Sequence, residues 1–239
     1  MKYAILFGWC GILLGFLGWR LGWHGWWLLW YSVNFFLLSF AYQKENVRIF
    51  GKQSNGKISF FSIVLLLPTL LFLWTIWHIR RSIVKEKCFH EILPGLWLGG
   101  RVFAGEIPDN ISLIVDLTTE FIEPQDVIVG KTYICIPTLD AFGPGDEQFS
   151  KIVEKICSWE GNVYLHCALG RGRSATVAAG ILLAKGIVDD IDRAKTLLQS
   201  IRPGVDFSSS QRQLLERFRE QLLNKASVGN INECSVYKS

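Results

Sequence analysis

The chain has 239 residues, half of them hydrophobic, and a net charge of +4. That total covers two different halves, because residues 1–87 hold ten Lys and Arg against two acidic residues, whereas residues 88–225 hold fourteen against eighteen. The basic residues form no aromatic-interleaved patch on a soluble domain, which argues against a nucleic-acid-binding protein.

Three apolar segments fill the N-terminal half. Residues 4–19 and 58–79 are uncharged, and residues 21–42 carry only His24 as a group that ionises near neutral pH. Because about 20 apolar residues cross a bilayer core, we predict transmembrane helices at about 21–42 and 58–79 and a shorter third at 4–19. Eight of the ten tryptophans lie here, as expected of interfacial belts, although they could also face lipid or pack between helices: Trp9, Trp19, Trp23, Trp26, Trp27, Trp30, Trp74 and Trp77.

The first apolar segment has an alternative interpretation as a cleaved signal peptide. No small-x-small cleavage site follows it, and another apolar run begins at Leu21, so we favour a retained helix. Glycines recur every three or four residues and would allow a second helix to approach closely, either within the chain or in a homodimer. These are Gly8, Gly11, Gly15, Gly18 and Gly22.

Membrane orientation does not follow from charge, because basic residues flank both ends of the segment at 58–79. The six cysteines show no CxxC pair and no framework spacing, as is typical of a reducing compartment. The sequence therefore predicts a multi-pass integral membrane protein, surrounded by membrane lipids, whose soluble half lies in the cytoplasm.

From residue 88 onward the patterns are those of one small α/β domain, expected to end near residue 225 and to be followed by a flexible tail at 226–239. Apolar β-rich runs at 111–117 and 132–136 predict strands. Helices are predicted at 146–159, 174–185, 191–201 and 209–224.

The most informative stretch lies at residues 163–179. A strand-like run ends at His166, a loop with two glycines follows, and small helix-forming residues begin after Arg173. Backbone amides in such a loop can turn inward, and the following helix adds the positive end of its dipole, so the arrangement binds anions. The run is His166-Cys167-Ala168-Leu169-Gly170-Arg171-Gly172-Arg173-Ser174.

The spacing between Cys167 and Arg173 suits one tetrahedral oxyanion, with the sulfur beneath the central atom and the guanidinium gripping two oxygens. A helix N-terminus and nearby cations lower the pKa of a thiol, so a thiolate is expected at neutral pH. A thiolate facing bound phosphate is a positioned nucleophile.

This run resembles the His-Cys-x5-Arg-Ser/Thr signature of cysteine-dependent protein tyrosine phosphatases, and specifically of their dual-specificity group. Residues 91–100 are similar to the opening strand and turn of that group. The resemblance implies a small central, mostly parallel sheet flanked by helices, and an enzyme that needs no metal or other cofactor.

The resemblance also implies roles for the loop residues. Residues 167–173 would bind phosphate, with Cys167 as nucleophile and Arg173 holding the equatorial oxygens. Ser174 would donate to the sulfur and improve it as a leaving group, and His166 would orient the loop.

A general acid is also needed, since an alkoxide or phenoxide is a poor leaving group. In the family this is an Asp on a mobile loop upstream of the cysteine. Asp140, 27 positions before Cys167, is the first choice, and Asp146 and Glu147 are alternatives that also resemble first-turn helix residues. Asp116, at a strand end, is expected to be structural.

Arg171 gives the one indication of substrate. The inner loop Cys-x-x-Gly-Arg-x-Arg is similar to loops of phosphoinositide phosphatases of the tumour-suppressor type and of phosphatidylglycerophosphate phosphatases, although Ala168 and Leu169 depart from the polar residues often found there. A rim arginine that captures phosphate generally is the alternative.

We therefore expect a membrane-anchored phosphatase of phosphotyrosine, phosphoserine and phosphothreonine proteins. An anionic phospholipid is the alternative substrate. An inactive phosphate-binding module or a membrane scaffold is a further alternative.

Overall fold

Two compact units make up the chain in the computed structural model, which describes residues 2–84 and 86–236, with side chains up to residue 225. The first unit contains the N-terminal residues up to Glu86 together with the segment Thr118–Gln125. The second contains Lys87–Leu117 and the chain from Asp126 onward. The inclusion of Thr118–Gln125 in the first unit was not predicted from the sequence.

The first unit is built on three long helices, α1 (Lys2–Arg20), α2 (Trp26–Lys44) and α3 (Phe60–Ile83). Glycines of α1 face α2: a Cβ at Gly11 would lie 3.2 Å from the Phe36 ring, and Ser32 Oγ donates to the Gly11 carbonyl at 2.7 Å. The glycine repeat therefore serves helix pairing within the chain.

A buried amide joins α2 to α3. Asn34 Nδ2 donates to the Leu65 carbonyl at 2.9 Å, and Thr69 Oγ1 donates to Asn34 Oδ1 at 3.1 Å. Pro68 lies inside α3 and lacks an N–H, so the helix ladder is interrupted near this carbonyl. The α2 side chain thus supplies a donor beside the interruption.

The segment Thr118–Gln125 packs within the first unit. Trp74 Nε1 donates to the Glu120 carbonyl at 2.7 Å, and the Glu123 amide donates to the Gly56 carbonyl at 2.9 Å. Phe121 is buried, with its ring centroid 5.7 Å from that of Trp77.

Two helices among the described residues, α1 and α3, are long and apolar enough to cross a membrane. The helix predicted at about 21–42 begins later, at Trp26, because residues Gly22–Gly25 form a 3-10 turn. Helix α2, which buries Ser32 and Asn34, does not meet the criterion of length and apolarity, so the span predicted there stays a prediction. Buried core helices and signal sequences satisfy the same criterion, so membrane insertion remains a proposal.

The second unit contains a five-stranded sheet, which confirms the predicted α/β class. Its strands are β1 (Phe89–Leu93), β2 (Leu96–Gly99), β3 (Ile111–Asp116), β4 (Thr132–Cys135) and β5 (Asn162–His166), in the order β1-β2-β5-β3-β4. The β1–β2 pair is antiparallel, and the other three pairs of this sheet are parallel. The predicted opening strand is in fact the hairpin β1–β2, which turns at Gly95 with φ of +79°.

Helices cover the sheet: α4 (Gln125–Ile128), α5 (Asp146–Cys157), α6 (Arg173–Ala184), α7 (Ile191–Ile201) and α8 (Ser209–Val236). The main core lies between the sheet and α5 to α8, where apolar side chains recur at helical spacing, as Phe149, Ile152, Val153 and Ile156 do in α5. Helix α8 ends at Val236, beyond the predicted residue 224. The predicted flexible tail overlaps it, and the side chains from residue 226 lie outside the described residues.

Candidate active site

The anion-binding loop, residues 167–173, connects β5 to α6 at the C-terminal edge of the parallel strands. Gly170 has a φ of +69°, and a Cβ there would lie 2.5 Å from the Gly99 carbonyl oxygen. The Cys167 amide donates to that same carbonyl at 3.4 Å. Glycine is therefore required where the loop crosses the end of β2.

Cys167 lies at the base of this loop and is 3% exposed. Its sulfur accepts hydrogen bonds from the Gly170 amide and the Ser174 hydroxyl, both at 3.3 Å. Burial alone would raise the pKa of Cys167, but the Arg173 charge and the hydrogen bonds from Ser174 outweigh it, so the pKa lies below that of an ordinary thiol. The site therefore favours a thiolate.

Arg173 is 2% exposed and is held by two backbone carbonyls in the segments that follow β3 and β4. Its Nη1 donates to the Thr138 carbonyl at 3.0 Å and to the Leu117 carbonyl at 3.4 Å. Its Nε lies 3.4 Å from Oδ1 of Asp140, whose side chain is 76% exposed. The structure thus places Cys167, Arg173, Asp140 and Ser174 close together.

The alternative acids are engaged elsewhere. Asp146 accepts from Arg217 at 2.7 Å, and Glu147 accepts from Lys151 at 2.6 Å. The hydrogen bond from Lys151 lowers the pKa of Glu147. Both carboxylates lie in the first turn of α5, where they interact favourably with the helix dipole. The geometry therefore favours Asp140 as the candidate general acid.

Next to Cys167 lies a cluster of buried polar side chains. His166 pairs in register with Asp116 across β5 and β3, with Nε2 4.0 Å from Oδ1. Tyr133 donates its hydroxyl to Asp116 Oδ2 at 2.7 Å. Burial, followed by the Asp116 charge, raises the pKa of Tyr133 far above its usual value, so Tyr133 stays a donor.

Arg171 extends from the loop over the turn after α7. A Cβ at Gly204 would lie 2.5 Å from Arg171 Nε, and the Asp206 amide donates to the Arg171 carbonyl at 3.1 Å. Arg171 is half-buried and adds a second cation to the loop that contains Arg173.

Comparisons with known proteins agree with this geometry. A family model described as "Polymorphic toxin system, DSP-PTPase phosphatase" matches residues 103–187. Over residues 103–187 the chain is therefore similar to dual-specificity phosphatases. No curated protein matches the chain.

Solved phosphatase structures share the fold of this domain. PTPMT1 in complex with PI(5)P is 21% identical, with a TM-score of 0.53 over 58% of this chain and 99% of that one. The human tyrosine phosphatase-like serine/threonine/tyrosine-interacting protein is 22% identical, with a TM-score of 0.51 over 58% of this chain and 99% of that one. Tk-PTP in the active form is 21% identical, with a TM-score of 0.50 over 56% and 97%. At these identities the likeness establishes the fold.

Sequence reasoning missed Arg202, which holds backbone carbonyls of the anion-binding loop. It is 3% exposed and donates from Nη2 to the Leu169 carbonyl and from Nε to the Gly170 carbonyl, each at 2.8 Å. When carbonyls of the loop are held on the outside, amides of the same loop can face the anion. Only the Arg-Pro-Gly turn after a predicted helix could have drawn attention to it.

Proposed function

We propose that this protein is a membrane-anchored phosphatase that hydrolyses phosphomonoesters through a cysteinyl-phosphate intermediate. The observation that carries the proposal is one buried sulfur, held by the Gly170 amide and the Ser174 hydroxyl and made acidic by Arg173. Such a thiolate at the floor of an anion-binding loop is an activated nucleophile.

In the first step, the Cys167 thiolate forms a bond to phosphorus while the bond from phosphorus to the ester oxygen breaks. Asp140 gives its proton to that oxygen, which leaves as an alcohol or phenol. Arg173 and the loop amides hold the equatorial oxygens as their charge redistributes. Asp140 Oδ1 lies 3.4 Å from Arg173 Nε, which supports the proposal that both residues act on the same bound substrate.

In the second step, a water molecule attacks phosphorus and the sulfur–phosphorus bond breaks. Asp140, now a carboxylate, takes the proton from the water. Ser174 donates to the departing sulfur and stabilises it as a thiolate. Inorganic phosphate is released, and Cys167 is returned to its starting state.

Phosphotyrosine, phosphoserine and phosphothreonine side chains of proteins are the proposed substrates. Anionic phospholipid headgroups are a second candidate, supported by the second cation that Arg171 adds within the loop. The shared fold with PTPMT1, whose structure contains PI(5)P, favours the same candidate.

The first unit is proposed as the membrane anchor, with the phosphatase domain in the cytoplasm. Its helix α1 presents large apolar side chains that are more than half exposed in the isolated chain, among them Ile5, Trp9 and Phe16. Contact of such an apolar surface with water is unfavourable, whereas contact with lipid is favourable. Resistance of the protein to carbonate extraction would support the anchor, and release into the supernatant would contradict it.

Activity is tested with the purified full-length protein in detergent micelles. Cys167→Ser should abolish turnover of phenyl phosphate, and Asp140→Asn should lower it by about 10²–10⁴-fold, the usual contribution of a general acid. Asp146→Asn is the matched control, because that carboxylate pairs with Arg217, and it should retain activity. Turnover that survives Cys167→Ser would refute the mechanism.

The substrate class is tested by comparing phosphotyrosine and phosphothreonine peptides with phosphoinositides and phosphatidylglycerophosphate in micelles. Preferential turnover of the lipids, lost in Arg171→Ala, would establish the lipid candidate. Lipid turnover no better than peptide turnover would remove it.

A further inference from the structure

The first turn of α8 contains a reciprocal cap. The Gln211 amide donates to Ser208 Oγ at 3.1 Å, and the Ser208 amide donates to Gln211 Oε1 at 3.0 Å. This is the capping-box arrangement, in which a Ser and a Gln three residues later satisfy backbone amides at the start of a helix.

Each of these two side chains makes a second hydrogen bond, and both of these bonds go to residues 137–145, here named the acid loop. Ser208 Oγ donates to the Ala141 carbonyl at 2.5 Å. Gln211 Nε2 donates to the Phe142 carbonyl at 3.0 Å. Gln211 is 1% exposed, so its amide is a buried group whose hydrogen bonds are costly to lose.

Close packing accompanies these bonds. A Cβ at Gly143 would collide with Leu214 of α8, and a Cβ at Gly172 would lie 3.2 Å from Gln211 Nε2. The Gln211 amide therefore lies against both the acid loop and the phosphate-binding loop. Ala141 has a φ of +65°, a left-handed conformation that is unfavourable for a non-glycine residue and needs support from its surroundings.

The carboxylate of Asp140 is mostly exposed and lies 3.4 Å from Arg173 Nε. Its position depends on the backbone that carries it, and the two carbonyls that immediately follow are the ones held by Ser208 and Gln211. We propose that Ser208 and Gln211 are positioning residues that hold the acid loop so that Asp140 can protonate the leaving group. This inference rests on the proposed function of Asp140 as general acid.

Leaving-group dependence tests the proposal in the full-length protein. Phenyl phosphate releases a phenol with a pKa of about 10, like that of tyrosine, and needs protonation. The nitro group of para-nitrophenyl phosphate stabilises the departing anion, so this substrate needs the acid far less. In Ser208→Ala and in Gln211→Met, we expect kcat/KM to fall about tenfold for phenyl phosphate and less than about twofold for para-nitrophenyl phosphate, a part of the full general-acid effect.

Three variants separate positioning from simple stability. Ser208→Thr keeps the hydroxyl and should restore the phenyl phosphate rate, and the exposed neighbour Ser209→Ala should resemble the parent. Ser208→Asp still accepts at the helix start but cannot donate to Ala141, so it should lose phenyl phosphate turnover while keeping the melting temperature. This variant decides the question if Ser208→Ala fails to fold.

Equal losses on both substrates, or no loss on either, would overturn the positioning role and leave the phosphatase proposal intact. A different failure is identified by Asp140→Asn: if it shows no preference between the two substrates, Asp140 is not the acid and the positioning role falls with it. Absence of turnover of both substrates by the parent protein would refute the proposed function itself.

Discussion

The hydroxyl of Ser174 lies 3.3 Å from the Cys167 sulfur in a fully buried setting, and we expect Ser174→Ala to make the thiol markedly less acidic. A hydrogen bond to a charged group contributes about 1.5–3 kcal/mol, so the thiolate fraction at a pH below the pKa should fall about 10- to 100-fold. The Gly170 amide and the Arg173 charge remain, so part of the stabilisation of the thiolate survives.

The rate of alkylation should fall less than the thiolate fraction. A more basic thiolate is intrinsically more nucleophilic, with a Brønsted coefficient of about 0.4–0.5, which leaves a net decrease of about 3- to 15-fold. The same loss should slow breakdown of the cysteinyl-phosphate, because the sulfur becomes a poorer leaving group. A burst of phenol followed by slow turnover is the expected kinetic signature.

Iodoacetamide labelling across a pH series, resolved by peptide mass spectrometry, measures this directly. Cys157 is an internal control, because burial raises its pKa and it has no hydrogen bond from Ser174. The labelling curve of Cys167 should move to higher pH in the variant while that of Cys157 stays in place. An unchanged Cys167 curve in a folded variant would refute the role of the hydroxyl.

Gly180→Ala should destabilise the phosphatase domain by about 1–3 kcal/mol, as measured by thermal unfolding, because the alanine Cβ would lie 2.6 Å from the buried Phe149 ring. Alanine is normally the more stable residue in a helix, so the expected sign is the reverse of the helix propensity. Arg202→Met should weaken vanadate binding about tenfold, because two carbonyls of the phosphate-binding loop lose a charged donor; unchanged inhibition by vanadate would contradict it. Tyr133→Phe should cost about 1–3 kcal/mol in denaturant unfolding, because Asp116 is buried and loses a donor at 2.7 Å; equal stability would show that another group compensates.

Much of the second unit was predictable because its signals are local. The strand predicted at 132–136 is Thr132–Cys135, the helix predicted at 146–159 is Asp146–Cys157, and the helix at 191–201 has its predicted bounds. Each depends on periodicity and end signals within a few residues. The start of helix α2 was not predicted, since the turn Gly22–Gly25, with the sequence Gly-Trp-His-Gly, interrupts an otherwise apolar run.

The sequence by itself determined the chemistry of the loop, because strand, glycines, cysteine, arginine and serine lie within nine consecutive residues, 166–174, whose order sets their geometry. Tertiary structure alone decided what holds that loop and Asp140 in place. Arg202 reaches the loop from 32 positions away from Gly170, and Ser208 reaches the acid loop from 67 positions beyond Ala141. In these hydrogen bonds the acceptor is a backbone carbonyl, and every residue has one. No side-chain pattern along the chain therefore indicates which carbonyl a distant donor will contact.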